Sequence, residues 1–353
     1  MSNKIKTGWL TITRKCNNFC EWCYTQRKLS CENMDFIDAK NTVDKMKELG
    51  IKRIVLIGGE PTLYPDLVEL IKYITLKDIK VSMATNGRKL SDKEYAKKIV
   101  ESGINSINIS LKGTTEDEYL QHTKSFGLME AVNGYKNLID LGFENVSLSY
   151  VIVNNDKNNF EKFVKLLKNN KLNNVVFQFV KPVLELKSTD ELLDIESMGK
   201  FVEYIYSRMQ KFDMNYCFEI SFPLCAIERP ILEKLISEKR ISTCCHISKG
   251  TGLIMDTDFK ILPCNHFAEF PYSEEKIGLK SSEEISEFLN SDVCQNLRRI
   301  AGTYPSKDCI NCELWQMCGG GCFTRWFYQD PEKVIPKMKG GAVNEIKWLV
   351  ESL

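Results

Sequence analysis

Cys16, Cys20 and Cys23 form a C-x3-C-x2-C run directly after an apolar, strand-like segment. Three thiolates this close together can share one soft metal centre, whereas a tetrahedral zinc or a fully ligated 4Fe-4S cube needs four protein ligands. Spacing alone leaves two readings: a distant residue closes a zinc knuckle, or one iron position stays open to bind and activate a ligand. Trp22, just before the third cysteine, would set an aromatic ring beside whatever binds. Further on, Arg53–Ile57 reads as a buried strand ending in Gly58-Gly59-Glu60-Pro61. Two glycines there admit close backbone approach, and the carboxylate can accept from an amine.

A second set of thiols lies near the other end. Ten of the fourteen cysteines follow residue 216, and Cys309, Cys312, Cys318 and Cys322 make a C-x2-C-x5-C-x3-C run with Gly319-Gly320-Gly321 allowing a tight turn. Zinc could fit that run alone. Upstream, Cys244-Cys245 precedes a strand-turn-strand pattern over 256–263 that ends in Cys264. Clustered cysteines without a secretory signal point to metal or redox chemistry in a reducing compartment rather than to disulfides.

These residues must be held by regular elements. Gly8–Thr13 is a first strand, and Phe36, Ala39, Val43, Met46 and Leu49 recur at helical spacing before Gly50. Helix stops at Gly50, Gly103 and Gly142 are followed by strands at 52–57, 106–111 and 145–153, with further strands at 79–84 and 174–180. Strand-helix alternation predicts a parallel sheet with helices packed outside it. The chemistry of such folds collects at the C-terminal strand ends, where the cysteine run, Gly58-Gly59-Glu60, Thr85-Asn86-Gly87, and Ser110 with Lys112 all fall. Residues 184–240 read as helical and charged, with Leu192, Ile195, Met198 and Phe201 on an apolar face.

Lysine and arginine number 48 against 47 acidic residues, a net charge of +1 that predicts no attraction to nucleic acid or an anionic membrane surface. No signal-peptide core and no apolar run long enough to span a bilayer is present, so a cytoplasmic location is expected.

The cysteine run and Gly58-Gly59-Glu60 together resemble the radical S-adenosylmethionine (radical SAM) superfamily. The resemblance implies an α/β fold, an open partial (β/α)6 TIM-like barrel over residues 1–183. It implies that Cys16, Cys20 and Cys23 hold a 4Fe-4S cluster whose fourth iron is chelated by S-adenosylmethionine. Gly58, Gly59 and Glu60 would contact the cofactor's amino group, Trp22 would lie beside it, and Asn86 and Ser110 stand where relatives contact its ribose and carboxylate. Lys124 occupies a position where many relatives have arginine, which keeps the charge but loses the bidentate fork. The family reaction is cleavage of the cofactor to a 5′-deoxyadenosyl radical that abstracts hydrogen, with an electron donor such as flavodoxin or ferredoxin.

The later cysteines resemble the SPASM extension of that family, which binds two auxiliary 4Fe-4S clusters. On that resemblance 184–240 is a helical connector and 241–353 the SPASM domain. Cys245, Cys264 and Cys322 would hold the inner cluster, completed by Cys244 or Cys225. Cys309, Cys312 and Cys318 would hold the outer one, completed by Asp330, Glu332, Glu345 or water, since no cysteine follows Cys322. Phe259 stands where relatives often have glycine, which is expected to change the turn while removing no ligand. The resemblance implies a peptide or protein substrate, first of all a ribosomally made peptide that is crosslinked, oxidised or epimerised, with Cys217, Cys225 or Cys294 available as hydrogen donor. The fifteen residues before Cys16 are too few for a leader-binding domain, so recognition of a leader is expected from a separate leader-binding protein or from another surface. Sulfatase-maturating relatives have an aspartate base where this chain has Asn265, which cannot take a proton. A small-molecule substrate, or a non-catalytic iron-sulfur carrier or zinc-stabilised module, are the other readings.

Overall fold

Short β-branched runs alternating with amphipathic stretches fold as that pattern dictates. The computed structural model describes residues 5–25, 29–30, 32–182, 193–243 and 245–339. Along the chain run β1 (Thr7–Thr13), α1 (Phe36–Glu48), β2 (Arg53–Gly58), α2 (Leu67–Leu76), β3 (Lys80–Thr85), α3 (Lys93–Glu101), β4 (Ser106–Leu111), α4 (Glu116–Thr123), α5 (Leu128–Asp140), β5 (Val146–Ile152), α6 (Lys157–Asn170) and β6 (Val175–Phe179). There follow α7 (Ile195–Met209), β7 (Tyr216–Glu219), α8 (Arg229–Ser237), β8 (Ile241–Ser242), α9 (His246–Lys249), β9 (Gly252–Met255), β10 (Ile261–Leu262), α10 (Ser282–Leu289), α11 (Asp292–Ala301), α12 (Trp315–Cys318) and α13 (Pro331–Lys339). Among the described residues no helix is long and apolar enough to cross a membrane.

Local chemistry sets the boundaries. Asp35 caps α1 by accepting from Ile37 N at 2.8 Å, the helix buries Ala39, Thr42, Val43 and Met46, and Gly50 at φ +79° carries the chain into β2. A left-handed residue satisfies the last helical carbonyls, and glycine takes that conformation without steric cost. Gly103 and Gly142 repeat the device at φ +92° and +78°.

The described residues form two compact units, each assembled from separated stretches: 1–150, 161–174 and 246–300 in one, and 151–160, 175–245 and 301–353 in the other. In the first, the strand order is β10-β9-β1-β2-β3-β4-β5. Strands β9, β1, β2, β3, β4 and β5 run parallel, and β10 is antiparallel to β9. The pairing of β9 with β1, Thr7 opposite Gly252 and Leu10 opposite Met255, brings a stretch from the far half of the sequence onto the first strand. In the second unit β6, β7 and β8 are parallel neighbours, with Val175 opposite Tyr216 and Phe218 opposite Ile241.

One expectation is corrected here. The helical reading of 184–240 holds for α7 and α8, but Tyr216–Glu219 is a strand that buries Tyr216 and Phe218 on one face. Four residues are too few for a period of two to stand out between helices. Phe259 adopts the left-handed conformation at φ +66°, with Phe259 N donating to Asp256 O and Asp256 N to Lys260 O, each at 3.0 Å. A bulky residue in that region is strained, so the turn carries a steric cost.

The same turn supplies Asp256, which forms a buried ion pair with Arg14, just after β1, their side chains 1% and 3% exposed. Removing one partner of such a pair strands the other charge in a low dielectric. Asp256→Asn is expected to lower the unfolding free energy by about 3–5 kcal/mol in urea titrations, and Arg14→Met combined with Asp256→Leu to recover most of that loss.

Candidate functional site

The site grows from the end of β1. Its register against β2 shifts between Thr11 and Thr13, so that Thr13 pairs with Gly58. This irregularity lays the outgoing chain across the end of β2: Gly59 N donates to Thr13 O at 2.9 Å and Glu60 N to Lys15 O at 2.7 Å. A Cβ at Gly58 would lie 2.4 Å from Thr13 O, and one at Gly59 would lie 2.3 Å from Lys15 O. In this structure the close backbone approach that the two glycines permit is therefore to the segment delivering Cys16.

Glu60 is 1% exposed and carries four hydrogen bonds. Its Oε1 accepts from Thr62 N at 3.0 Å, Thr62 Oγ1 at 2.6 Å and Thr85 Oγ1 at 2.5 Å, and its Oε2 from Asn86 N at 2.6 Å. The carboxylate thus joins the ends of β2 and β3, with one lone pair of Oε2 left for a further donor. Asn86 Nδ2 reaches Asn17 Oδ1 at 2.6 Å, inside the cysteine loop, while its Oδ1 accepts from Arg88 N at 3.1 Å. Gly87, at φ +76°, makes the turn possible.

Arg88 escaped the sequence reading and is central. Its Nη1 donates to Asn17 O at 2.6 Å and Asn18 Oδ1 at 2.9 Å, and its Nε pairs with Glu130 at 2.5 Å. Asn18 Nδ2 donates to the buried Tyr119 hydroxyl at 2.9 Å, and Ser125 Oγ donates to Asn18 Oδ1 at 2.8 Å. From the α4 side, Thr123 O accepts from Phe19 N at 2.7 Å and His122 O from Glu21 N at 3.1 Å. The loop carrying Cys16, Cys20 and Cys23 is therefore fixed by β2, β3 and the end of α4. A single arginine after a turn gives no sequence signal of this role.

Lys124 caps α4 in the left-handed conformation at φ +55°, and its ammonium meets Glu21 Oε1 at 2.6 Å on the exposed side of the loop. Trp22 packs edge-on against His122 with ring centroids 4.9 Å apart, and Lys112 Nζ lies 5.8 Å from its ring. His122 Nδ1 is 2.9 Å from Lys112 O, which makes it part of this packing. Ser110 stands near the end of β4 opposite Ser149 in register.

Burial pushes the Cys16 thiol up to about 12, against the opposing hydrogen bond from Asn18 N, and raises Cys20 as well, with the Lys112 charge opposing. Such thiols lose their protons to a soft metal rather than to water. Three thiols on one braced loop are the donor set of a 4Fe-4S cluster that leaves one iron to another ligand.

The remaining cysteines divide between the units. Cys264 lies in the first, beginning the 3₁₀ turn Asn265–Phe267, where His266 meets Tyr24 with ring centroids 5.0 Å apart. Cys225, Cys245, Cys309, Cys312, Cys318 and Cys322 lie in the second. Cys244 and Glu345 fall outside the described residues. Glu332 accepts from Ser306 Oγ at 3.0 Å and Lys307 N at 3.1 Å, and Asp330 pairs with Lys333 at 3.6 Å. Cys217 and Cys294 are free thiols raised by burial, and Cys294 is fully buried. Arg325 is another residue that the sequence did not reveal. It is 1% exposed, and it donates to Leu193 O at 3.3 Å, to Val180 O at 3.4 Å and towards Met198 Sδ at 3.8 Å. Burial pushes it down to about 10, the Cys322 thiol opposing, so it stays charged at neutral pH.

Residues 10–168 match the Radical SAM superfamily. The chain carries a radical SAM domain, of the kind that typically binds a 4Fe-4S cluster and S-adenosylmethionine, followed by a cysteine-rich region that fits SPASM. It is similar in fold to Streptococcus suis SuiB bound to its precursor peptide SuiA, with a TM-score of 0.73 at 17% identity over 93% of this chain and 74% of that one. It also resembles anSMEcpe with bound AdoMet, with a TM-score of 0.69 at 15% identity over 96% and 99% of the two chains. By sequence it is 31% identical over 212 residues to a probable GTP 3',8-cyclase of Saccharolobus islandicus, covering 57% of this chain and 66% of that protein. A Fe-coproporphyrin III synthase of Methanosarcina barkeri is 31% identical over 205 residues, 57% of this chain and 50% of that one.

Two outcomes test this frame. Glu60→Gln replaces an acceptor by a donor facing Asn86 N or Thr62 N, and should cost about 1–3 kcal/mol of stability by chemical unfolding, with weaker S-adenosylmethionine binding by calorimetry. Burial opposes ionisation of Glu116, but N–H donors from Met129, Gly127 and Leu128 and the Arg88 charge outweigh it and hold its pKa below the ordinary 4.5. Its contribution is therefore present above pH 4.5 and lost as pH falls through the lower folded value. Glu116→Gln should flatten the acid limb of urea midpoints measured from neutral pH down to roughly pH 3.

Proposed function

We propose that this chain is a radical SAM/SPASM oxidoreductase that abstracts hydrogen from a peptide or protein substrate, in the maturation of a ribosomally made peptide. The observation that carries the reading is the cysteine loop braced by Glu60, Asn86 and Arg88 at the C-terminal strand ends, combined with a second cysteine set matching the SPASM spacing. The peptide class is supported by the fold likeness to SuiB, whose structure holds its precursor peptide.

When bound, the cluster and S-adenosylmethionine supply reductive cleavage of the cofactor and a hydrogen-abstracting species. Cys16, Cys20 and Cys23 would hold the cluster and leave one iron to the cofactor. Gly58, Gly59 and Glu60 would receive its amino group, Asn86 and Ser110 its ribose and carboxylate, and Trp22 would flank it. Lys124, whose ammonium also meets Glu21, would be a further cofactor contact. Cys245, Cys264 and Cys322 would hold an inner auxiliary cluster and Cys309, Cys312 and Cys318 an outer one, able to accept an electron from an oxidised substrate. An external donor such as flavodoxin or ferredoxin, and a separate leader-binding protein, complete the proposal.

A small-molecule substrate is the second reading, favoured by the relatives at 31% identity, which are named as a GTP cyclase and a porphyrin synthase. Direct binding of GTP or of a metalloporphyrin to the reconstituted protein would move the assignment to that class.

Anaerobic reconstitution with iron and sulfide should give about twelve irons per chain, falling to about eight in the Cys16→Ala, Cys20→Ala, Cys23→Ala triple variant. 5′-Deoxyadenosine should form from S-adenosylmethionine and dithionite with the wild type alone. A cluster-loaded wild type that binds no S-adenosylmethionine would sink the reading in favour of an electron carrier.

A further inference from the structure

Resting on the reading that Cys309, Cys312 and Cys318 hold a 4Fe-4S cluster, the geometry points to Cys225 as its fourth thiolate ligand. Cys309, Cys312 and Cys318 supply three thiolates, and a 4Fe-4S cube takes four ligands. Three successive glycines, Gly319, Gly320 and Gly321, sit at φ +56°, +75° and +78° and turn the chain back after Cys318. That reversal lays 318–322 along the segment 221–225 of the same unit. Cys322 N donates to Ser221 O at 2.9 Å, and a Cβ at Gly321 would lie 2.7 Å from Phe222 Cα. Leu224 N donates to Cys318 Sγ at 3.3 Å.

The last contact carries the argument. A backbone N–H aimed at sulfur stabilises the thiolate and is one of the means by which a protein adjusts an iron-sulfur centre. The residue after that N–H is Cys225, whose Cα is about 3.8 Å further along the chain. Cys225 lies in the 3₁₀ turn Leu224–Ala226 and is partly exposed, unlike Cys294, which is 0% exposed as an inert core thiol is. Cys309, Cys312 and Cys318 are set by their own short turns, Cys312 N to Cys309 O at 3.2 Å and Cys318 N to Leu314 O at 2.7 Å. Of the carboxylates near this run, Glu313 pairs with Arg229, Glu332 with Ser306 and Lys307, and Asp330 with Lys333. A soft thiolate is also the better ligand for iron-sulfur than a hard carboxylate.

The test counts iron and sulfide in the reconstituted full chain and records its EPR spectrum after dithionite reduction, with no assay of turnover. Cys225→Ala and Cys225→Ser should each lose the signal and iron that Cys318→Ala loses, or convert it to a three-iron signal, and adding Cys318→Ala to Cys225→Ala should remove no other cluster. Cys225→Ala with Cys322→Ala should lose two clusters, and Cys217→Ala should lose none. Wild-type iron and spectrum in both Cys225 variants would overturn the inference, as would a loss that merges with that of Cys322→Ala. Wild-type iron in Cys309→Ala and Cys318→Ala would instead remove the outer-cluster reading itself, and the role of Cys225 with it.

Discussion

A buried carboxylate holds the first unit's site together. An ionised group withdrawn from water is tolerated only where charge-assisted hydrogen bonds replace its hydration. Glu60 receives four such bonds, from the turn after β2 and from the end of β3. Because both oxygens are committed, the two strand ends cannot shift independently. Asn86 extends the constraint to Asn17, and Arg88 extends it to Asn17 and Asn18, so the loop is tied to strand ends by a connected polar network. Such networks are worth more than their separate bonds, and they impose on a loop the precision of the rigid elements beneath it.

The parts of this arrangement that repeat along the chain were legible in the sequence. Strands β1 to β6 fall within a residue or two of their expected limits because each is a short apolar run, three of them entered from a helix-stopping glycine, and that pattern is local. The cysteine run and Gly58-Gly59-Glu60 were legible because chemistry restricts which residue types can serve. What could not be read is what depends on tertiary approach. Arg88 is one more surface-type residue until Asn17 and Asn18 stand opposite it. The pairing of β9 with β1 joins residues more than two hundred positions apart. The four residues of β7 carry too little pattern to read as a strand between helices.

The glycines separate two kinds of necessity. Gly50, Gly103 and Gly142 are needed for conformation, since the chain must pass through the left-handed region to leave a helix. Gly58 and Gly59 are not at positive φ; they are needed for space, because backbone carbonyls of Thr13 and Lys15 occupy the volume a side chain would fill. The segment that bears Cys16 is thereby packed onto β2 by its own backbone, which gives the loop the precision of the strand beneath it.

Electrostatics of the thiols carry the same logic into both units. In the first, burial raises Cys16 and Cys20, and loss of their protons to a soft cation offsets that cost. In the second, Arg325 is a buried cation with no carboxylate contact among the described residues, and the Cys322 sulfur is the group that opposes the downward push of burial on it. A lone buried guanidinium is costly, and negative charge placed beside it relieves that cost.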